Sequence, residues 1–180
     1  VGFRPTAEIL RVLSGLNTSV TRRLTESLSS SPGFPGIVEL VEQLLEYPPS
    51  ADEITEILDA CASLTDQGID IKRAYVTALE ISDHFPDDVG VVISMMLNRL
   101  TLQPGEAAFL GTGIIHSHLK GMCLEVMASS DNVLRAGLTT KSLDRVGLVQ
   151  CLATGMSRLA RVTPEPDGFS TDVFSPDVEE

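Results

Sequence analysis

Two histidines stand one residue apart in His116-Ser117-His118, and the expectation is that they lie on a strand. Residues i and i+2 of a strand share a face, so both imidazoles can converge on one point. Imidazole suits zinc and its neighbours, and a carboxylate from an adjacent strand can complete such a site. Glu125, on the next apolar segment, is such a carboxylate. The same spacing also suits two polar residues on a solvated strand face, and spacing alone leaves both readings open. Further on, Ser129-Ser130-Asp131-Asn132-Val133-Leu134-Arg135-Ala136-Gly137 packs an Asp, an Asn and an Arg into a loop directly after an apolar segment. Functional side chains tend to be displayed on such loops. Arg135 can fork onto a phosphate or steady an oxyanion, and Lys141 can add a point charge to the same anion. The plainer alternative is an Asp131–Arg135 pair that pins a turn.

The elements that must position these residues fall into two halves. The first reads as helices. Ile37, Leu40, Val41, Leu44 and Leu45 form one apolar stripe at helical spacing, stopped by Pro48-Pro49. Ser50-Ala51-Asp52-Glu53 is a capping box for a second stripe of Ile54, Ile57, Leu58, Cys61 and Leu64, with Gly68 expected at its C-cap. Asp70 is placed to cap a third helix. Shorter helical candidates run from Thr6 to Leu13 and from Thr18 to Leu28, set apart from the rest by the Ser-, Pro- and Gly-rich linker over 29–36. After Asp88 the pattern changes. Val89 to Leu97 is an apolar, β-rich run of strand length, Ala107 to Leu110 and Met122 to Met127 are further short apolar segments, and glycine turns separate them. Short strands joined by glycine turns suggest the edge of a β-sandwich or barrel. Helical spacing returns weakly from Asp144 to Ala160, and Thr163 to Glu180 reads as a connector. The fold class expected is α+β.

Composition sets the outer limits. In 180 residues, 13 Lys and Arg face 25 Asp and Glu, a formal net charge of −12. That balance argues against a nucleic-acid surface, which needs clustered cations. Hydrophobic content of 43% with a mean hydropathy of +0.16 excludes a disordered acidic tail. No apolar run reaches the roughly 20 residues of a membrane-spanning helix. Three cysteines suit a reducing compartment better than a disulfide scaffold. The expected setting is the cytoplasm, with neither nucleic acid nor membrane as partner. The opening residues do not read as a charged-then-apolar leader. The chain starts Val1-Gly2-Phe3-Arg4-Pro5 without an initiator methionine and is expected to be a piece of something longer.

One stretch is more specific than its parts. Leu97-Asn98, Gln103-Pro104-Gly105-Glu106-Ala107, His116, Leu119, Gly121 and the run from Glu125 through Lys141 (Glu-Val-Met-Ala-Ser-Ser-Asp-Asn-Val-Leu-Arg-Ala-Gly-Leu-Thr-Thr-Lys) closely resemble the type I phosphomannose isomerases. The opening Gly2-Phe3-Arg4-Pro5 is similar to the segment where that family's strands give way to a helical lobe. The resemblance implies a zinc-dependent cupin with a helical insertion. On that basis the chain divides into a helical domain over 1–84, part of a cupin-like β-sandwich over 85–145, and a helix and connector over 146–180. It implies His116 as a zinc ligand, and Glu125, Asp131 and Arg135 as catalytic positions, Arg135 foremost. Lys141 and His118 are implied to bind the substrate, a hexose 6-phosphate that passes between mannose and fructose forms through a cis-enediol.

Two departures stand out. Ser117-His118 occupies the place of the family's Ala-Tyr, and Thr140 replaces the Pro of Leu-Thr-Pro-Lys. The family's other zinc ligands, a Gln-x-His pair and a Glu, lie upstream of the segment matching Val1, and its closing strands lie downstream of the segment matching Glu180. One of four protein zinc ligands is therefore expected here. Exposed cupin strands are expected to pair with another copy or with the missing enzyme parts. A non-catalytic cupin-like module that holds a sugar phosphate is the alternative reading, and a helical lobe serving as a protein-interaction surface is a third.

Overall fold

The computed structural model describes residues 1–64, 68–127, 129, 133–153, 159–166 and 172–175. Five helices come first: α1 Thr6–Leu16, α2 Ser19–Ser30, α3 Phe34–Glu46, α4 Ala51–Ser63 and α5 Ile69–Ser82. Each of the first four presents an apolar stripe to one core, which includes Ile9, Leu13, Leu24, Leu28, Leu40, Leu44, Ile54 and Ile57. Their starts are chemically marked. Thr18 and Thr21 cap α2 reciprocally, and Ser50 with Glu53 closes the capping box expected for α4. The end of α4 differs from expectation. It stops at Ser63 with Leu64 as C-cap, and Gly68, at a φ of −53°, is instead the N-cap of α5. Asp70 therefore falls inside the first turn of α5 rather than before it.

The larger correction is at Val89 to Leu97, which is not a strand but the core of helix α6 Gly90–Met95. All six residues of this helix are buried, so it has no polar face and no periodicity by which to tell it from a buried strand. The β-branched Val91, Val92 and Ile93 pull the propensity the wrong way, and packing against α5 overrides it. The helical layer thus continues past residue 84.

The strands are few. β1 Ala107–Leu110 falls on an expected apolar segment and pairs antiparallel with β2 Leu159–Val162, the register setting Ala107 opposite Val162. Arg161 ties this ribbon together, donating to Glu106 at 2.9 Å and to the Thr101 carbonyl at 2.9 Å. Between the two strands in sequence, α7 Arg145–Ala153 packs on α3 and adds Leu148 and Leu152 to the core. A second pair, β3 Glu165–Pro166 with β4 Asp172–Val173, lies in the stretch expected as a connector. Neither 116–118 nor 122–127 forms a strand. Among the described residues the strands make two separate two-stranded ribbons, not a sandwich. No helix there is long and apolar enough to cross a membrane.

Two buried acids inside the helical core give it a pH dependence. The Tyr75 hydroxyl donates to the Val12 carbonyl at 2.9 Å, joining α5 to α1, and burial pushes the phenol from 10.0 up to about 12. Burial also pushes the Cys61 thiol from 9.0 up to about 12. Both groups hold their protons more tightly folded than unfolded, so their contribution is intact below pH 9.0 and is lost as pH rises toward about 12. Denaturant melts followed by circular dichroism should therefore show a midpoint that falls as pH rises above 9.0, and Cys61→Ala should delay the onset toward pH 10.0. A midpoint that stays flat across this range contradicts the assignment.

Candidate functional site

His116 lies on a loop rather than a strand, and the backbone around it is anchored from the far end of the chain. Residues 2–4 run alongside 96–98: Phe3 bridges Leu97, the Arg4 amide donates to the Met96 carbonyl, and the Asn98 amide donates to the Gly2 carbonyl. The Gly2 amide then donates to the Ile115 carbonyl at 2.8 Å, fixing the residue before His116. Ile115 itself packs against the helical core. Sequence reasoning did not find this anchor, because nothing local in the chain links residue 2 to residue 115.

The His116 ring has one nitrogen committed and one available. Nδ1 lies 2.8 Å from the Ile114 carbonyl, which can only accept, so Nδ1 donates there and Nε2 is the ring nitrogen left open. Nε2 faces Glu125 Oε1 at 3.6 Å. The His118 ring stands 6.1 Å from that of His116, edge to face. The strand expected to bring the two histidines and Glu125 together is absent, yet the loop gathers the same three side chains. All three are open to solvent, with the His116 and Glu125 side chains 35% and 43% exposed. This is donor chemistry suited to zinc, nitrogen and carboxylate oxygen, but incomplete. No group of three His, Cys, Asp or Glu side chains placed to hold a metal occurs among the described residues.

Arg135 is held by its neighbours. Leu134, Ala136 and Leu138 pack against the helical core, and Arg135 among them is half-buried. The plainer alternative, a pair with Asp131, involves a residue that lies outside the described ones. Lys141 is exposed, its amide donating to the Thr139 hydroxyl at 3.1 Å in a local turn. Among the described residues, no hydrogen bond or ion pair joins Arg135 or Lys141 to the His116–Glu125 pair. Sequence reasoning also missed Asp88, whose carboxylate accepts from the Leu138 amide at 2.9 Å and so holds the Arg135 loop to α6. The available signal was an Asp immediately before an apolar run, the mark of a helix N-terminus.

Comparison with known proteins fits this arrangement. No family model matches the chain. Mannose-6-phosphate isomerase of Cryptococcus neoformans is 34% identical over 92% of the chain, which covers 45% of that enzyme. A probable mannose-6-phosphate isomerase of Echinococcus multilocularis is 33% identical over the whole chain, covering 48% of its own length. Among solved structures, mannose 6-phosphate isomerase from Salmonella typhimurium bound to substrate and zinc superposes with a TM-score of 0.68 at 31% identity, over 93% of this chain and 42% of that one. By sequence and by fold the chain is a partial match to the mannose-6-phosphate isomerases, and it spans about half the length of the curated relatives it matches.

Proposed function

We propose that residues 1–180 carry one part of the active site of a zinc-dependent aldose–ketose isomerase that interconverts mannose 6-phosphate and fructose 6-phosphate. The observation that carries this reading is the His116–Glu125 pair, with the imidazole Nε2 facing a carboxylate oxygen at 3.6 Å. It occurs in a chain that superposes almost whole on an isomerase bound to substrate and zinc. His116 fits the metal because its Nδ1 lies against the Ile114 carbonyl, which orients the ring and leaves Nε2 as the nitrogen to ligate, an arrangement common to metal-bound imidazoles. The other ligands come from segments that the relatives have beyond this chain. When bound, zinc supplies a Lewis acid for the sugar oxygens.

The reaction needs a proton removed from the carbon beside a carbonyl, with negative charge gathering on oxygen as the cis-enediol forms. Arg135, half-buried, supplies fixed donors to that oxygen. Glu125 and Asp131 are the carboxylates offered for moving the proton between the two carbons. Lys141 holds the phosphate, and His118, in the place of the family's tyrosine, lines the substrate side. In this reading the helical lobe over 1–84 is an insertion, 85–145 belongs to a cupin-like β domain with α6 buried where the two join, and 146–180 returns as helix and connector. The setting is cytoplasmic.

The segment 122–127 supports the need for more chain. Met122, Leu124, Val126 and Met127 along it are 101%, 91%, 86% and 65% exposed. Such a run of uncovered apolar side chains is a surface awaiting cover. The proposed cover is the remaining strands of the same enzyme.

The phosphate contact predicts a separable effect. Lys141→Ala in the full-length protein should raise KM for mannose 6-phosphate about tenfold or more while kcat stays within about threefold, because a contact remote from the reacting carbons binds ground and transition states alike. A fall in kcat at unchanged KM contradicts that role. The proposal as a whole is tested by assaying residues 1–180 beside the full-length protein with mannose 6-phosphate and excess zinc. Turnover by the full-length protein alone is expected. Turnover by residues 1–180, free of longer forms by mass spectrometry, overturns the shared-site reading. Sugar-phosphate binding without turnover by the full-length protein points to a binding module instead.

A further inference from the structure

We infer that Asp88 is a positioning residue for Arg135, acting through the backbone of the loop that carries it; the inference rests on the reading of Arg135 as the transition-state group. One oxygen of Asp88 does two jobs. Oδ1 accepts from the Gly90 amide at 2.6 Å, closing the start of α6, and from the Leu138 amide at 2.9 Å, fifty residues further along the chain. The second bond adds nothing within α6 itself, since the first already takes up the Gly90 amide at its start. It clamps the loop onto α6 three residues after Arg135.

The clamp holds a conformation that the loop would not adopt unaided. Gly137 has a φ of +147° and Leu138 a φ of +54°, a left-handed value uncommon for a non-glycine residue. The chains also approach too closely for side chains. A Cβ on Gly137 would stand 2.6 Å from Asp88 Oδ1 and 3.0 Å from the Gly90 nitrogen, and a Cβ on Gly90 would stand 2.7 Å from the Leu138 side chain. Backbone this tightly packed and locally strained stays put only where its surroundings over-determine it. Arg135 itself has no hydrogen bond or ion pair to another described residue. Its placement therefore comes from the backbone, fixed by the packing of Leu134, Ala136 and Leu138 and by the Asp88 bond.

The two jobs can be separated by substitution. In Asp88→Ser the hydroxyl can still accept from the Gly90 amide but is too short to reach Leu138. Asp88→Asn keeps an oxygen that can accept from both amides. In the full-length protein, Asp88→Ser should lower kcat tenfold to a hundredfold with KM within about threefold, the scale of a small misplacement of a catalytic group. Asp88→Asn should restore kcat to within about threefold of wild type. The effect should vanish in the Arg135→Ala background, where nothing is left to position. An equal loss in both backgrounds, or no loss in Asp88→Ser, overturns the inference. Hydrogen exchange on residues 1–180 supplies a readout that does not depend on activity. The Leu138 amide should exchange at least about tenfold faster in Asp88→Ser and remain protected in Asp88→Asn. Unchanged protection in Asp88→Ser overturns the clamp even if the full-length protein is an isomerase, whereas absent wild-type turnover with the expected exchange pattern sinks only the proposed function.

Discussion

Replacing Arg135 with alanine in the full-length protein is expected to lower kcat for mannose 6-phosphate by about a hundredfold or more, the scale of losing one preorganised donor to a developing oxyanion. The loss should fall on kcat and on kcat/KM alike, because the negative charge that Arg135 meets exists only as the enediol forms. The structure makes the expectation specific. The residues on either side, Leu134 and Ala136, are packed against the helical core, so the backbone is held and truncation of the side chain between them should leave the fold intact. Arg135→Lys keeps the charge but loses the planar fork and should recover only part of the rate. Steady-state kinetics showing an unchanged kcat for Arg135→Ala would remove the catalytic role.

The second large effect concerns the metal. His116→Ala in the full-length protein should bring bound zinc, measured by elemental analysis after dialysis, from near one per chain to well below that. His116 offers Nε2 from a ring oriented by the Ile114 carbonyl, and alanine offers no donor at all. Tight zinc sites use about four ligands, and losing one of them typically costs much of the affinity. His118→Ala should leave the zinc content nearly unchanged, since His118 is assigned to substrate and not to metal. Its ring lies 6.1 Å from the His116 ring, so this pair of variants distinguishes neighbours in one loop. Wild-type zinc content in His116→Ala contradicts the ligand assignment.

Much of the helical half was legible because its helices declare themselves locally. The Ser50–Glu53 box and the stripe Ile54, Ile57 and Cys61 are a cap and a face, and both are present as written in the chain. The β half was legible only where a short apolar run stood between clear turns, as in Ala107–Leu110. Val89 to Leu97 misled because a wholly buried helix shows no polar face, and its β-branched residues favour the wrong element until α5 is packed against it. His116-Ser117-His118 was expected on a strand, but pairing depends on partners outside the local sequence, and a loop anchored by the Gly2 amide holds the histidine instead. His116, His118 and Glu125, singled out by type and spacing, lie near one another on the loop. What no local pattern contained was long-range support, the Gly2–Ile115 and Asp88–Leu138 hydrogen bonds, each joining residues far apart in the chain.

The central claim is that this chain brings His116 and Arg135 to a site that isomerises a hexose 6-phosphate with zinc. The most direct measurement is a zinc titration of the metal-free full-length protein, with fructose 6-phosphate formation from mannose 6-phosphate as the signal. The account predicts no turnover without metal and turnover that rises to a plateau at one zinc per chain. Turnover that persists in the metal-free protein, or zinc binding that brings no turnover, would contradict it.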